Sequence, residues 1–122
     1  MAIRSISVVS VPVTDPDRSR DFYVEQLGFA VRTDAGFGEG QRWLELEPPG
    51  GGTRITLVTW FDRMPPGSQQ GLALGSDDIE ADIRALRSRG IDLPDPEHQP
   101  WGTFSTFSDP DGNAWVLVQE DA

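Results

Sequence analysis

Residues 107–119 read FSDPDGNAWVLVQ, and the fold turns on how the DPDGN at residues 109–113 is understood. Asp and Gly at this density suit a calcium loop, a phosphate cradle or a tight turn. A calcium loop needs regularly spaced acidic ligands and a distal Glu, which this stretch lacks. A phosphate-binding loop needs a helix directly after its glycines. Here the glycine is followed by an apolar run instead, AWVLVQE at residues 114–120. The turn reading remains. Pro110 fixes one dihedral, and Gly112 and Asn113 tolerate a left-handed backbone. The stretch is therefore expected to close a hairpin between strands GTFSTFS (102–108) and AWVLVQE.

Working outward, the same pattern occurs earlier in the chain. Residues 52–58, GTRITLV, align with residues 112–118, GNAWVLV, and the turn before them has its counterpart in PPGGGT at 48–53. Further upstream, VPVTDPDRSRDFYVEQLGF (11–29) matches ALGSDDIEADIRALRSRGI (73–91) in architecture: strand, acidic cap, helix, Gly. Asp15 caps the first helix and Pro16 suits its first turn. Ser19, Phe22, Tyr23 and Leu27 lie near one face, and Gly28 ends it. Asp77 or Asp78 caps the second helix, Ile79, Ile83 and Leu86 line it, and Gly90 stops it. Residues 3–13, FAVRTDA, RWLELEP, TRITLVTW and GLALGS supply the other strands, with GFGEG (36–40) as a turn. IDLPDPEHQP is mostly loop, with a short strand expected at its start. The order is β-α-β-β-β twice over, modules of residues 1–60 and 70–122 joined by a polar linker at 61–69. A period this long, repeated once, is not a solenoid.

Composition narrows the chemistry. At 122 residues the chain fits a single domain with one core. It has no Cys, its ten basic residues are all Arg, and it has one His (His98) and one Tyr (Tyr23). Disulfides, thiolate metal sites, cysteine nucleophiles and Schiff-base lysines are excluded. A formal net charge of −10 opposes nucleic-acid binding, which needs basic side chains to displace counterions. It would favour a cationic ligand, or simply solubility. No apolar run approaches a membrane span, and the N-terminal residues lack a secretory signal pattern, so a cytoplasmic location is expected.

The strand-Asp-helix opening of residues 11–29 and the closing hairpin of 107–119, with the duplication, resemble the vicinal oxygen chelate superfamily of glyoxalases, extradiol dioxygenases and bleomycin-resistance proteins. The resemblance covers nearly the whole chain. It implies an α+β fold in which two tandem βαβββ modules form a cupped mixed sheet with helices on its outer face. It does not decide function, because the fold hosts many activities. Metalloenzymes of that family draw one His, Gln or Glu ligand from each of four strand positions. By spacing these fall on Val8, Thr56, Gly71 and Val116. Val and Gly offer no donor and Thr only a weak one. A register shift of one residue would add only Gln70. No metal and no other cofactor are therefore expected.

What remains is a pocket without an obvious catalyst. If Val8, Thr56 and Val116 face the cup, Ile6, Ser10, Arg54, Val58, Ala114 and Val118 share that face. Val9, Val11, Val13, Ile55, Leu57, Trp115 and Leu117 then pack under the helices. Trp43 shares a strand face with Glu45 and Glu47, Trp60 opens the linker, and Trp101 follows a polar loop. Aromatic walls with a few carboxylates suit an aromatic or cationic ligand, although the same rings also suit core or a dimer seam. HQPWG at 98–102 resembles a QPWG stretch of bleomycin-resistance proteins, in which two chains form aromatic-lined grooves. The expected ligand-binding set is Trp43, Glu45, Trp60, Trp101, Arg54, Thr56, Val8 and Val116, with Glu45 and His98 the weak catalytic candidates. The expected function is metal-independent binding and sequestration of an antibiotic-like small molecule, by a homodimer whose modules pair within or between chains. The alternatives are a metal-independent lyase or isomerase, then a metal-dependent glyoxalase or dioxygenase.

Overall fold

A computed structural model describes residues 1–36 and 38–121. Its elements run β1 (Val8–Pro12), α1 (Pro16–Asp21), a π-helical turn (Phe22–Gln26), β2 (Ala30–Gly36), β3 (Arg42–Glu47), β4 (Arg54–Val58), β5 (Leu72–Gly75), α2 (Ile79–Ser88), β6 (Glu97–Gln99), β7 (Gly102–Ser108) and β8 (Ala114–Glu120). The duplication is visible in the strand order. One four-stranded sheet runs β1-β4-β3-β2, and the other runs β5-β8-β7-β6. In each, the first strand lies parallel to the last, crossing over through the helix, while the other pairs are antiparallel. This is the α+β fold of two similar βαβββ modules.

The caps follow the sequence. The Asp15 carboxylate accepts from the backbone N–H groups of Asp17 and Arg18, and Pro16 opens α1. Asp78, rather than Asp77, caps α2 by accepting from Ala81 N–H. The larger departures from expectation are in β1 and in the segment after α2. β1 starts at Val8, not at residue 3, because its parallel partner begins at Arg54. Before that point the Ser7 and Ile6 carbonyls accept from Arg54 N–H and Thr53 Oγ1, and Ile3 and Ile6 stay exposed. In residues 91–100 the short strand lies at the end, not the start. Ile91 and Leu93 instead drop into the core. Pro94 and Pro96, which carry no N–H, keep that segment out of a ladder. The turn expected at 36–40 includes Phe37, which lies outside the described residues.

Each sheet has a helix on one face. Val11, Val13, Ile55, Leu57, Trp115 and Leu117 all point to that side and join one core with Phe22, Tyr23, Ile79, Ile83 and Leu86. The core crosses between the modules. Tyr23, from the π-helical turn of the first, lies 5.8 Å from Trp115 of the second, and Phe22 lies 6.5 Å from Phe107. Trp115, 4% exposed, is a core residue as the alternation indicated.

The DPDGN turn fastens this core. Gly112, at φ +96°, is its left-handed residue, whereas Asn113 keeps a negative φ and uses its side chain instead. Asn113 Nδ2 donates to Pro12 O (2.8 Å) at the end of β1 and to Asp109 Oδ2 (2.8 Å), and its Oδ1 accepts from Gln69 N–H. The buried Asp109 carboxylate also accepts from Tyr23 Oη (2.7 Å) and from the N–H groups of Asp111 and Asn113. Trp115 Nε1 in turn donates to Tyr23 Oη at 3.0 Å. Burial and the neighbouring Asp109 carboxylate push the Tyr23 hydroxyl pKa well above its ordinary value. Asp111 reaches back to the start of α1, accepting from Thr14 N–H, Thr14 Oγ1 and Arg18. Asp109 is therefore committed on every side to structure.

Candidate functional site

With both helix-bearing faces turned into one core, alternation turns the opposite face of each sheet away from that core. Partnering fixes which residues share these faces. On the first sheet Val8 lies beside Arg54, Ser10 beside Thr56, and Thr56 beside Glu45. On the second, Val116 lies between Ala73 and Thr106, and Val118 lies beside Phe104. The face division expected for these strands is thus the observed one.

The first sheet gathers most of the expected binding residues around Glu45. Its carboxylate is 8% exposed and surrounded by donors. Trp43 Nε1 donates to Oε1 at 3.2 Å, Arg54 Nε lies 2.5 Å from Oε2, and Arg32 Nε lies 3.5 Å from the same oxygen. Arg32 was not foreseen. It sits where the β2–β3 register shifts between Val31 and Thr33, and this bulge aims it at Glu45. FAVRTDA alone does not reveal that bulge. Arg54 Nε and Glu45 are in direct charge contact. With Arg54 Nε held by that contact, the Thr56 hydroxyl is left as the buried side-chain polar atom without a partner among the described residues. Arg54 and Thr56 are two residues apart on one face of β4, and both border Glu45.

The second sheet carries Val116 and an aromatic pair. Trp101, in the turn between β6 and β7, is 54% exposed and stacks on Phe104 with centroids 5.6 Å apart. Phe104 was also not foreseen. Its place three residues after Trp101 and two before Thr106 is the signal that would have found it. Trp60 lies beyond β4, half-buried and edge-on to Phe61 at 5.7 Å. His98 is exposed, with Nδ1 2.9 Å from Thr103 Oγ1. Thr103 is its cross-strand partner, so both lie on the face opposite Phe104.

The expected residues on the strands therefore form two groups, one on each sheet. A cleft of about 950 Å³ opens elsewhere, on the helix side between the modules, with Val9, Ile55, Leu72, Leu74 and Ala85 in its wall. It contains none of the expected binding residues.

A sequence profile of the Glyoxalase/Bleomycin resistance protein/Dioxygenase superfamily matches residues 5–117. The chain belongs to this superfamily. Among curated relatives, the uncharacterized protein YetH of Bacillus subtilis (strain 168) is 34% identical, with 96% of this chain and 99% of YetH aligned. Among solved structures, TnmS3, described as an antibiotic binding protein from Streptomyces sp. CB03234, is 45% identical with a TM-score of 0.93, covering 99% of both chains. A superfamily member from Sphaerobacter thermophilus DSM 20745 is 33% identical with a TM-score of 0.90, covering 98% of this chain and 100% of its own.

Metal-dependent branches of the superfamily raise the question of a metal centre here. No group of three or more His, Cys, Asp or Glu side chains among the described residues could hold a metal ion. Val8, Gly71 and Val116 supply no donor atom, and Thr56 supplies a lone hydroxyl. The residues do not fit the group, and no chemistry is derived through one. No helix among the described residues is long and apolar enough to cross a membrane.

Proposed function

We propose that this superfamily member is a metal-independent binder that sequesters a small aromatic, antibiotic-like molecule. The observation that carries the reading is the Trp43–Glu45–Arg54–Thr56 cluster. It occupies the sheet face on which the superfamily's metalloenzymes place ligands, and it offers an aromatic wall and polar contacts where a metal donor set is lacking. Aromatic surface with a few convergent polar groups is what small-molecule sites are made of. The similarity to TnmS3 supports the same reading.

The working unit in this proposal is a homodimer with exchanged modules. A single chain carries its two cup faces on two separate sheets. A second copy, apposed across these faces, sets Trp43 and Arg54 of one chain against Trp101 and Phe104 of the other. Each site then contains residues of both chains. A metal-independent lyase or isomerase would need an available acid–base group in the cup. Glu45 is held by three donors, and His98 lies on the face away from Phe104, so binding is better supported.

Tryptophan fluorescence titration against planar polycyclic and bleomycin-type antibiotics tests the proposal, alongside sedimentation of the free protein and growth of sensitive cells expressing it. Saturable quenching at two ligands per dimer, with protection of the cells, is expected. Absence of quenching by every compound, with no protection, refutes it.

A further inference from the structure

The contacts of Glu45 give it a different task from the one its charge suggests. Net charge alone points to a carboxylate that meets a cationic ligand. Its oxygens are already engaged. Arg54 Nε lies 2.5 Å and Arg32 Nε 3.5 Å from Oε2, and the Trp43 indole N–H donates to Oε1 at 3.2 Å. With the residue buried, an incoming ammonium would have to displace one of these partners. Arg32 stands on β2, Trp43 and Glu45 on β3 and Arg54 on β4, so three strands converge on one carboxylate. Two of its partners are guanidinium groups, which hold Glu45 in place. The third is the edge of an aromatic ring. That ring is half-buried, and its cross-strand partner is the small, exposed Ala35. Charge on this face also cancels. Among the described strand residues that share it, the charged side chains are Arg32, Glu45, Glu47 and Arg54, two of each sign. The excess of carboxylates behind the net charge of −10 therefore lies elsewhere, and salt screens it beyond about 8 Å.

We infer that Glu45 is a positioning residue: it holds the Trp43 ring in a preset orientation, and the ligand is selected by stacking on that ring, not by its charge. The inference rests on the binding role proposed above. A ring set before the ligand arrives needs no ordering on binding, and preorganisation of this kind strengthens affinity. Arg32 and Arg54 act through Glu45, meeting its charge at contact so that none is left to recognise a cation.

The experiment uses the full-length protein and two readouts. The first needs no ligand. The proton NMR resonance of the Trp43 indole N–H, identified by its loss in Trp43→Phe, reports the bond to Glu45. It is expected to exchange slowly with water in wild type and in Glu45→Gln, whose side-chain carbonyl still accepts, and about tenfold or more faster in Glu45→Leu. The second compares three probes of one shape, 2-naphthoate, 2-naphthalenemethanol and 2-naphthylmethylammonium, by calorimetry. Their affinities for wild type are expected to lie within about threefold of one another and to change less than about twofold from low to high salt. Glu45→Leu is expected to weaken all three by one common factor, about fivefold to tenfold, and Glu45→Gln to restore them. An ammonium that binds about tenfold or more tighter than the alcohol, and loses that preference in Glu45→Gln, makes Glu45 a ligand contact and overturns the inference while the sequestering role stands. A Trp43 indole N–H that exchanges in wild type as fast as that of the exposed Trp101 overturns it as well, which keeps the test decisive if Glu45→Leu fails to fold. If none of the three probes and none of the antibiotics binds, the binding role falls and the inference with it.

Discussion

Thr56→Val gives the sharpest test of the packing around β4, because it asks what one unpartnered buried hydroxyl costs. Thr56 is fully buried on the central strand β4, and its hydroxyl makes no hydrogen bond. A buried polar group without a partner costs about 1–3 kcal/mol. Valine has nearly the same shape and is equally suited to a strand, so the exchange removes the unpaired hydroxyl and little else. We expect a gain of about 1 kcal/mol, the low end of that range, which for a chain of this size is roughly 3–5 °C in Tm. The assay is urea unfolding with thermal melts at fixed protein concentration, since oligomers shift Tm by mass action. A loss of about 1 kcal/mol or more would mean that the hydroxyl is bonded in the folded state, and the argument built on it would fail.

Four further outcomes are expected. Tyr23→Phe removes a donor to the buried Asp109 and an acceptor for Trp115, and should cost about 1.5–3 kcal/mol by chemical unfolding. The Tyr23 hydroxyl has a pKa raised above the ordinary 10.0 by burial and by Asp109, so its contribution is complete below about pH 10 and declines as pH rises beyond it. Wild type should therefore lose stability above pH 10 more steeply than Tyr23→Phe, and a native phenolate absorbing near pH 10 would contradict this. Gly67→Ala should cost about 3 kcal/mol or more in a melt, because φ is +81° and the added Cβ would lie 2.2 Å from Asp111 O. Trp101→Ala, at a residue 54% exposed, should leave the melt within about 0.5 kcal/mol while weakening ligand quenching.

Much of the fold was legible because local signals and long-range pattern agreed. Asp15-Pro16 and Asp78 mark helix starts by their own chemistry, and the 60-residue echo between GTRITLV and GNAWVLV implies two copies of one sheet. Strand alternation then assigned Trp115 to the core and Thr56 to the other face. What stayed hidden depended on partners. The start of β1 is set by where β4 begins, the role of Arg32 by a bulge in a neighbouring strand, and the burial of Ile91 and Leu93 by the core they meet. The site was half legible. Alternation collected Trp43 and Glu45, but nothing local to RWLELEP shows that Glu45 is already claimed by Arg54 and Arg32. Acidity favoured a cationic ligand because composition sums charge over the whole surface, whereas the contacts around Glu45 show that its charge is already met within the chain.

The clasp made by DPDGN also bears on how the chain is made. Asp109 meets Tyr23 across 86 residues of sequence, Asp111 meets Thr14 across 97, and Asn113 meets Pro12 across 101. The hydroxyl and carbonyl groups that these side chains satisfy belong to the first module, which is synthesised long before its partners. Until the last hairpin is made, Tyr23 Oη and Pro12 O lack these partners. Contacts of such separation slow folding and favour its concentration in one late event. A shortened chain ending before Asp109 should consequently behave as a client of chaperones rather than as a smaller version of the same protein.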